Sequence, residues 1–120
     1  MATILIAEDS QTDIQFIKSV LNETGHKLLV AMDGEETEKI VKSEPLDLII
    51  LDVVMPKKNG FQLCREFKKD EKTKNIPIIM LTSKSQESDR MWGTRQGADA
   101  YLTKPCKPME LLTTVKKFLG

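Results

Sequence analysis

The chain is predicted to fold as a doubly wound α/β domain, a flavodoxin-like five-stranded parallel sheet in the order 2-1-3-4-5. Three observations predict it. Short continuous apolar runs, Ile4-Leu5-Ile6-Ala7, Leu48-Ile49-Ile50-Leu51 and Ile78-Ile79-Met80-Leu81, have the length and character of strands buried on both faces. Segments with helical apolar spacing separate them, so that strand and helix patterns alternate five times and imply right-handed crossovers. Each run also stops at a polar residue: Glu8-Asp9, Asp52 and Thr82, with Lys104 ending the run Tyr101-Leu102-Thr103. In a parallel sheet those stops lie along one edge, where the strand order reverses and ligands bind.

The first strand is expected over about Thr3 to Ala7. A helix follows Ser10, with Asp13 three positions on as an acidic variant of the capping box. Its apolar face is Ile14, Ile17, Val20 and Leu21, and Gly25 is its stop signal. The second strand runs from Lys27 to Ala31. The second helix opens at Asp33-Gly34, carries Glu35 and Glu36 at its positive end, turns Ile40 and Val41 inward and ends before Pro45. The third strand is Asp47 to Leu51. Asn59-Gly60 caps a third helix that buries Phe61, Cys64 and Phe67, and the polar stretch Asp70 to Asn75 is a surface connection. The fourth strand is Ile76 to Leu81, with Pro77 at its start, where a missing N–H is tolerated. The fourth helix follows Ser83-Lys84-Ser85 and ends near Gly97. The fifth strand is Asp99 to Thr103. The last helix begins near Pro108 and buries Leu111, Leu112, Val115, Phe118 and Leu119.

A chain of 120 residues is one domain of ordinary size, with no linker or repeat inside it. Eighteen basic residues balance eighteen acidic ones, which gives no electrostatic case for nucleic acid or an anionic membrane. Cys64 and Cys106 match no metal-ligand spacing and read as free thiols of a reducing compartment. No basic segment or long apolar stretch precedes Ile4, so neither a signal peptide nor a membrane span is expected, and the cytoplasm is the expected location.

The strand-end residues carry the chemistry. Two like charges about 4 Å apart repel by about 4 kcal/mol at an effective dielectric of 20. Carboxylates gathered at one point therefore need a proton or a cation. Glu8, Asp9 and Asp52 read as an all-oxygen site for Mg²⁺, with Mn²⁺ as a substitute. Thr82 and Lys104 supply a hydroxyl and an ammonium for phosphoryl oxygens. Alone, the acidic pair reads equally as helix caps, Thr82 as a turn residue and Lys104 as a solvated lysine. Their convergence at one edge is what points to phosphoryl chemistry. Asp52, at the centre, is the nucleophile best placed to form an aspartyl phosphate.

Taken together, Glu8-Asp9, Asp52-Val53-Val54-Met55-Pro56 with Gly60 following, Thr82-Ser83, Tyr101 and Lys104-Pro105 resemble the receiver domains of bacterial two-component response regulators, in their CheY-like stand-alone form. The resemblance covers essentially the whole chain. It implies that Asp52 is the phosphoacceptor, charged from a phosphohistidine on a histidine kinase or phosphotransfer domain. It makes Asp9 a direct Mg²⁺ ligand, Glu8 a ligand through water, and Val54 a source of a backbone carbonyl. Thr82 is then the switch hydroxyl, Tyr101 the aromatic that follows it, and Lys104 the phosphate-binding lysine, with Lys104-Pro105 cis.

The chain departs from the family's usual pattern in its Glu-Asp pair, where Asp-Asp is commoner, and in Lys57-Lys58-Asn59 before Gly60. Val54 and Lys84 occupy positions that tune hydrolysis in the family. Valine cannot orient a water, so slow hydrolysis is expected. The segment from Lys84 to Asp99 is most similar to regulators of twitching motility and chemotaxis-like pathways.

The implied protein is a single receiver domain over residues 1–120 without an output domain, a signalling phosphoacceptor rather than an enzyme. It would act on a downstream protein through the surface of helix four, strand five and helix five. Trp92 is either ordinary packing or an anchor on that surface. A monomer or a phosphorylation-dependent dimer is expected. Three alternatives differ in class. A receiver-like module that binds without phosphorylation would keep the fold alone. A haloacid-dehalogenase-type phosphatase would want Asp-x-Asp after the first strand. A flavin binder would want a hydroxyl- and glycine-rich loop there.

Overall fold

The computed structural model describes residues 1–120. The elements are β1 (Thr3–Ala7), α1 (Gln11–Leu21) with a 3₁₀ turn (Asn22–Thr24), β2 (Lys27–Ala31), α2 (Gly34–Ser43), β3 (Leu48–Leu51), α3 (Gly60–Lys69), β4 (Ile78–Thr82), α4 (Glu87–Arg95), β5 (Ala100–Thr103) and α5 (Pro108–Leu119). The five strands are parallel in the order β2-β1-β3-β4-β5, as predicted.

Alternation along the strands sorts the core into two layers. Leu5, Ile49, Leu51, Ile78 and Met80 face α2 and α3, where Val41, Leu63, Cys64 and Phe67 close over them. Ile4, Ile6, Leu48, Ile50, Ile79, Leu81 and Leu102 face α1 and α5, meeting Ile17, Leu21, Leu111 and Val115. Burying both faces is what made the central runs continuous rather than alternating in sequence.

Several boundaries and burials differ from expectation. β3 begins at Leu48, because Asp47 turns its carboxylate onto the Thr3 N–H at 2.8 Å. β4 begins at Ile78, since the Ile76 carbonyl is taken by Lys68 Nζ at 2.8 Å and Pro77 has no N–H to give. β4 extends to Thr82, in register with Thr103. β5 begins at Ala100, because the Asp99 carboxylate accepts from Ile78 N and Lys68 Nζ, each at 2.8 Å. In α3, Leu63 is fully buried alongside Cys64, while Phe61 is half-buried. In α2, Val41 is buried and Ile40 half-buried; in α5, Leu112, Phe118 and Leu119 are half-buried. Thr73, inside the polar surface connection, is buried with its hydroxyl donating to the Phe67 carbonyl at 2.6 Å. Both cysteines are free thiols. Burial pushes the Cys64 thiol up to about 12.

The 3₁₀ turn closes on Gly25 in the left-handed region (φ 75°), which glycine enters without penalty. The capping box at α1 is only half formed. Ser10 accepts from the Asp13 N–H, but the Ser10 N–H donates to Glu8 Oε2 at 3.0 Å and leaves the Asp13 carboxylate for another partner.

Candidate functional site

Hydrogen bonding between strands continues one residue past their ends. Glu8 N–H donates to the Ala31 carbonyl at 2.9 Å, Asp52 N–H to Ala7 at 3.0 Å, and Lys104 N–H to Thr82 at 2.8 Å. These bonds fix three of the site residues to neighbouring strands at the sheet's C-terminal edge. Gly60 brings the start of α3 close behind. Its N–H donates to the Val53 carbonyl at 2.8 Å, and a Cβ there would run into Asp52 and Val53 backbone.

Asp52 is 6% exposed. Its Oδ1 accepts from the Val54 N–H at 3.2 Å, and its Oδ2 accepts from Lys104 Nζ at 2.9 Å. The same ammonium donates to Glu8 Oε1 and to Asp13 Oδ2, each at 2.7 Å. Burial would lower the Lys104 pKa, but the bonds to Asp13, Glu8 and Asp52 outweigh it and hold the group above its ordinary value. Glu8, 2% exposed, is pushed up to about 7 by burial, against the opposing bonds from Lys104 and Ser10.

Glu8, Asp9 and Asp52 each place a carboxylate oxygen within 4.8 Å of the others. Asp9 is exposed, and its carboxylate makes no hydrogen bond or ion pair within the chain. The Val54 carbonyl likewise has no partner within the chain, while the Val54 side chain is 52% exposed. One ammonium against four carboxylates leaves an excess of negative charge, and the donors are all hard oxygens. The residues present therefore fit a divalent cation such as Mg²⁺ or Mn²⁺.

Thr82 ends β4 fully buried, its Oγ1 accepting from the Lys84 N–H at 3.2 Å. Tyr101 lies half-buried on β5, and its hydroxyl donates to the Lys84 carbonyl at 2.7 Å. Its ring packs against Gly93, and the Arg90 guanidinium sits 5.6 Å from the ring centroid. The Lys104–Pro105 peptide is cis.

Trp92 is 47% exposed and stands on the flank of α4 that faces α3. There it lines a cleft of about 240 Å³ with Phe61, Gln62 and Arg65. The flank toward β5 carries Arg90 and Gly93 instead. Asp13 is the site residue that sequence reasoning missed. Its signal was an acid one turn into the helix that follows Glu8-Asp9.

Residues 4–116 match the response regulator receiver domain. The chain belongs to that family, whose members are signalling phosphoacceptors rather than enzymes that turn over a substrate. It is 43% identical to the protein PilH of Pseudomonas aeruginosa over 120 residues, covering 100% of this chain and 99% of that one. It is 38% identical over 117 residues to the phosphate regulon transcriptional regulatory protein PhoB of the same organism. That match covers 98% of this chain but 51% of the longer PhoB. Among solved structures, it resembles a receiver domain of a signal transduction histidine kinase from Syntrophus aciditrophicus (TM-score 0.91, 39% identity, 99% of this chain and 90% of that one). It also resembles the Mn²⁺-bound form of response regulator Rcp1 (TM-score 0.85, 28% identity, 98% of this chain and 91% of that one). No helix is long and apolar enough to cross a membrane.

Proposed function

We propose that this protein takes a phosphoryl group on Asp52 from a histidine kinase or phosphotransfer domain and uses it to change its affinity for a downstream protein. The observation that carries the reading is the position of Asp52. It is buried, bonded to Lys104 Nζ at 2.9 Å, and clustered with Glu8 and Asp9. An Asp52 carboxylate oxygen attacks phosphorus as the N–P bond of the donor phosphohistidine breaks. The electron pair leaves with the imidazole, which takes up a proton. Mg²⁺, held directly by Asp9, Asp52 and the Val54 carbonyl and through water by Glu8, would neutralise charge on the transferring oxygens; Mn²⁺ would serve in its place. Lys104 exchanges its bond to Asp52 for one to a phosphoryl oxygen.

Thr82 offers its hydroxyl to another phosphoryl oxygen, and Tyr101 transmits that movement through its bond to the Lys84 carbonyl. The readout is the surface of α4, β5 and α5, with Trp92 as an anchor at its α3-facing margin. Phosphorylation adds up to about two negative charges at the edge and shifts a two-state equilibrium by its differential affinity. We assign the whole chain to one receiver domain, active as a monomer or a phosphorylation-dependent dimer in the cytoplasm, where its two free thiols suit a reducing medium. The output is in motility or chemotaxis-like signalling. The segment from Lys84 to Asp99 resembles regulators of twitching motility, and the 43% identity to PilH spans the full chain.

The test is incubation with Mg²⁺ and acetyl phosphate followed by intact-mass measurement. One phosphoryl group is expected on the wild type and none on Asp52→Asn. Equal uptake by Asp52→Asn would remove the acceptor assignment. The exposed Val54 side chain cannot orient water, so the phosphorylated form is expected to hydrolyse slowly.

A further inference from the structure

Asp13 is the third helical residue of α1, a position from which an acid ordinarily reaches back to the N-cap amide. Here that amide, Ser10 N–H, is taken by Glu8 Oε2 at 3.0 Å. The Asp13 carboxylate turns instead to the sheet edge and accepts from Lys104 Nζ at 2.7 Å. An ammonium has three N–H donors, and Lys104 spends all three on carboxylates: Glu8 at 2.7 Å, Asp13 at 2.7 Å and Asp52 at 2.9 Å. Two of these acceptors, Glu8 and Asp52, are also members of the cation-binding cluster; Asp13 is not. Lysine and cation therefore compete for Glu8 and Asp52. Asp13 is the one partner that Lys104 keeps without obstructing the cation.

We propose that Asp13 is a positioning residue for Lys104, holding the ammonium at the rim of the site and drawing its charge off Glu8 and Asp52 so that a divalent cation can engage them. Without the Asp13 carboxylate, the released N–H turns wholly onto Glu8 and Asp52, and an uncompensated positive charge faces the incoming ion. Lys104 would also lose the anchor that keeps it within reach of a phosphoryl oxygen. The inference rests on the phosphoacceptor reading for the place of the cation, but its main test involves no phosphoryl transfer.

That test is a double-mutant cycle read by calorimetric Mg²⁺ titration of the unphosphorylated protein, using wild type, Asp13→Asn, Lys104→Ala and the double variant. Asp13→Asn is expected to weaken Mg²⁺ binding roughly three- to tenfold in the wild-type background and by less than about twofold in the Lys104→Ala background. Equal losses in both backgrounds, or none in the first, overturn the proposal. With acetyl phosphate at saturating Mg²⁺, Asp13→Asn is expected to lower the maximal rate of uptake without raising the apparent KM for the donor, because the variant removes negative charge from the donor's path. A raised KM with an unchanged maximal rate also overturns it. Failure of the acceptor reading shows separately, as phosphoryl uptake by Asp52→Asn, and leaves the titration cycle intact.

Discussion

The Tyr101 hydroxyl donates to the Lys84 carbonyl at 2.7 Å, tying β5 to the segment that follows Thr82. Since Lys84 N–H in turn donates to Thr82 Oγ1, one residue joins the buried hydroxyl to the half-buried ring. Tyr101→Phe removes that tie and keeps the packing. Loss of one neutral hydrogen bond is expected to cost about 1 kcal/mol in denaturant unfolding. Amide exchange over residues 83–86 should quicken more than exchange in β1 or β3. Uniform quickening would show that the bond does not order this segment.

Burial, aided by the charges of Asp89 and Asp52 against that of Arg90, pushes the Tyr101 phenol up to about 12. Its hydroxyl should therefore remain protonated, and so remain a donor, at pH 10.0, where a free tyrosine is half ionised. Ultraviolet titration of this single tyrosine reads that directly. Half-ionisation at the ordinary value would contradict the burial of the phenol.

Glu8 gives the fold an unusual pH dependence. Burial raises its folded pKa to about 7, from 4.5 in the open chain. Between those values the folded protein keeps a proton that the unfolded chain has lost. This contribution to stability is fully present below 4.5 and is lost as pH rises through 7. The decline attributable to Glu8 should be about 1–3 kcal/mol. Denaturant unfolding at both ends of the window measures it. Millimolar Mg²⁺ should offset the decline at the upper end by favouring the ionised carboxylate. Rising stability across the window, after subtraction of the same curve for Glu8→Gln, would contradict the assignment.

Gly93 lies inside α4, where alanine would ordinarily stabilise a helix by about 1 kcal/mol. Here a Cβ would meet the Tyr101 ring at 2.8 Å and Met80 Sδ at 3.0 Å. Gly93→Ala is therefore expected to destabilise by about 1–2 kcal/mol and to displace the ring, with a changed near-ultraviolet circular dichroism signal. A net gain in stability with an unaltered signal would show that the ring has room to spare.

Lys58 Nζ bridges Glu38 on α2 (2.9 Å) and Glu66 on α3 (3.0 Å), so the loop after Asp52 is pinned to both helices. Lys58→Ala leaves two carboxylates facing each other and should lower the thermal midpoint, more at low salt than at high salt. An effect independent of ionic strength would mean that the lysine contributes packing rather than charge.

The sheet and its edge were legible because burial on both faces leaves a mark on local sequence: four apolar residues in a row and then one acid, hydroxyl or ammonium. Glu8-Asp9, Asp52 and Thr82 could be placed from that rule alone, and Lys104 from the shorter run Tyr101-Leu102-Thr103 before it. Asp13 could not, because its spacing from Ser10 suggests a local capping role. Only the packing of α1 beside α5, the helix that follows Lys104, shows that Lys104 claims its carboxylate. The flank on which Trp92 stands was hidden for a similar reason. α4 is mostly polar, and its rotation is set by Gly93 admitting the Tyr101 ring, a tertiary fact with no periodic trace. Strand starts at Leu48, Ile78 and Ala100 were misjudged because the side chains of Asp47, Lys68 and Asp99 occupy backbone donors and acceptors that a strand would have used.

The ladder bonds that continue past the strands, at Glu8, Asp52 and Lys104, mean that these candidate site groups are carried by the rigid frame and not by the loops above it. Loop residues around them can drift, lengthen or be exchanged between lineages while the apparatus beneath keeps its spacing. A fold wired this way can acquire new correspondents on its rim without relearning its chemistry.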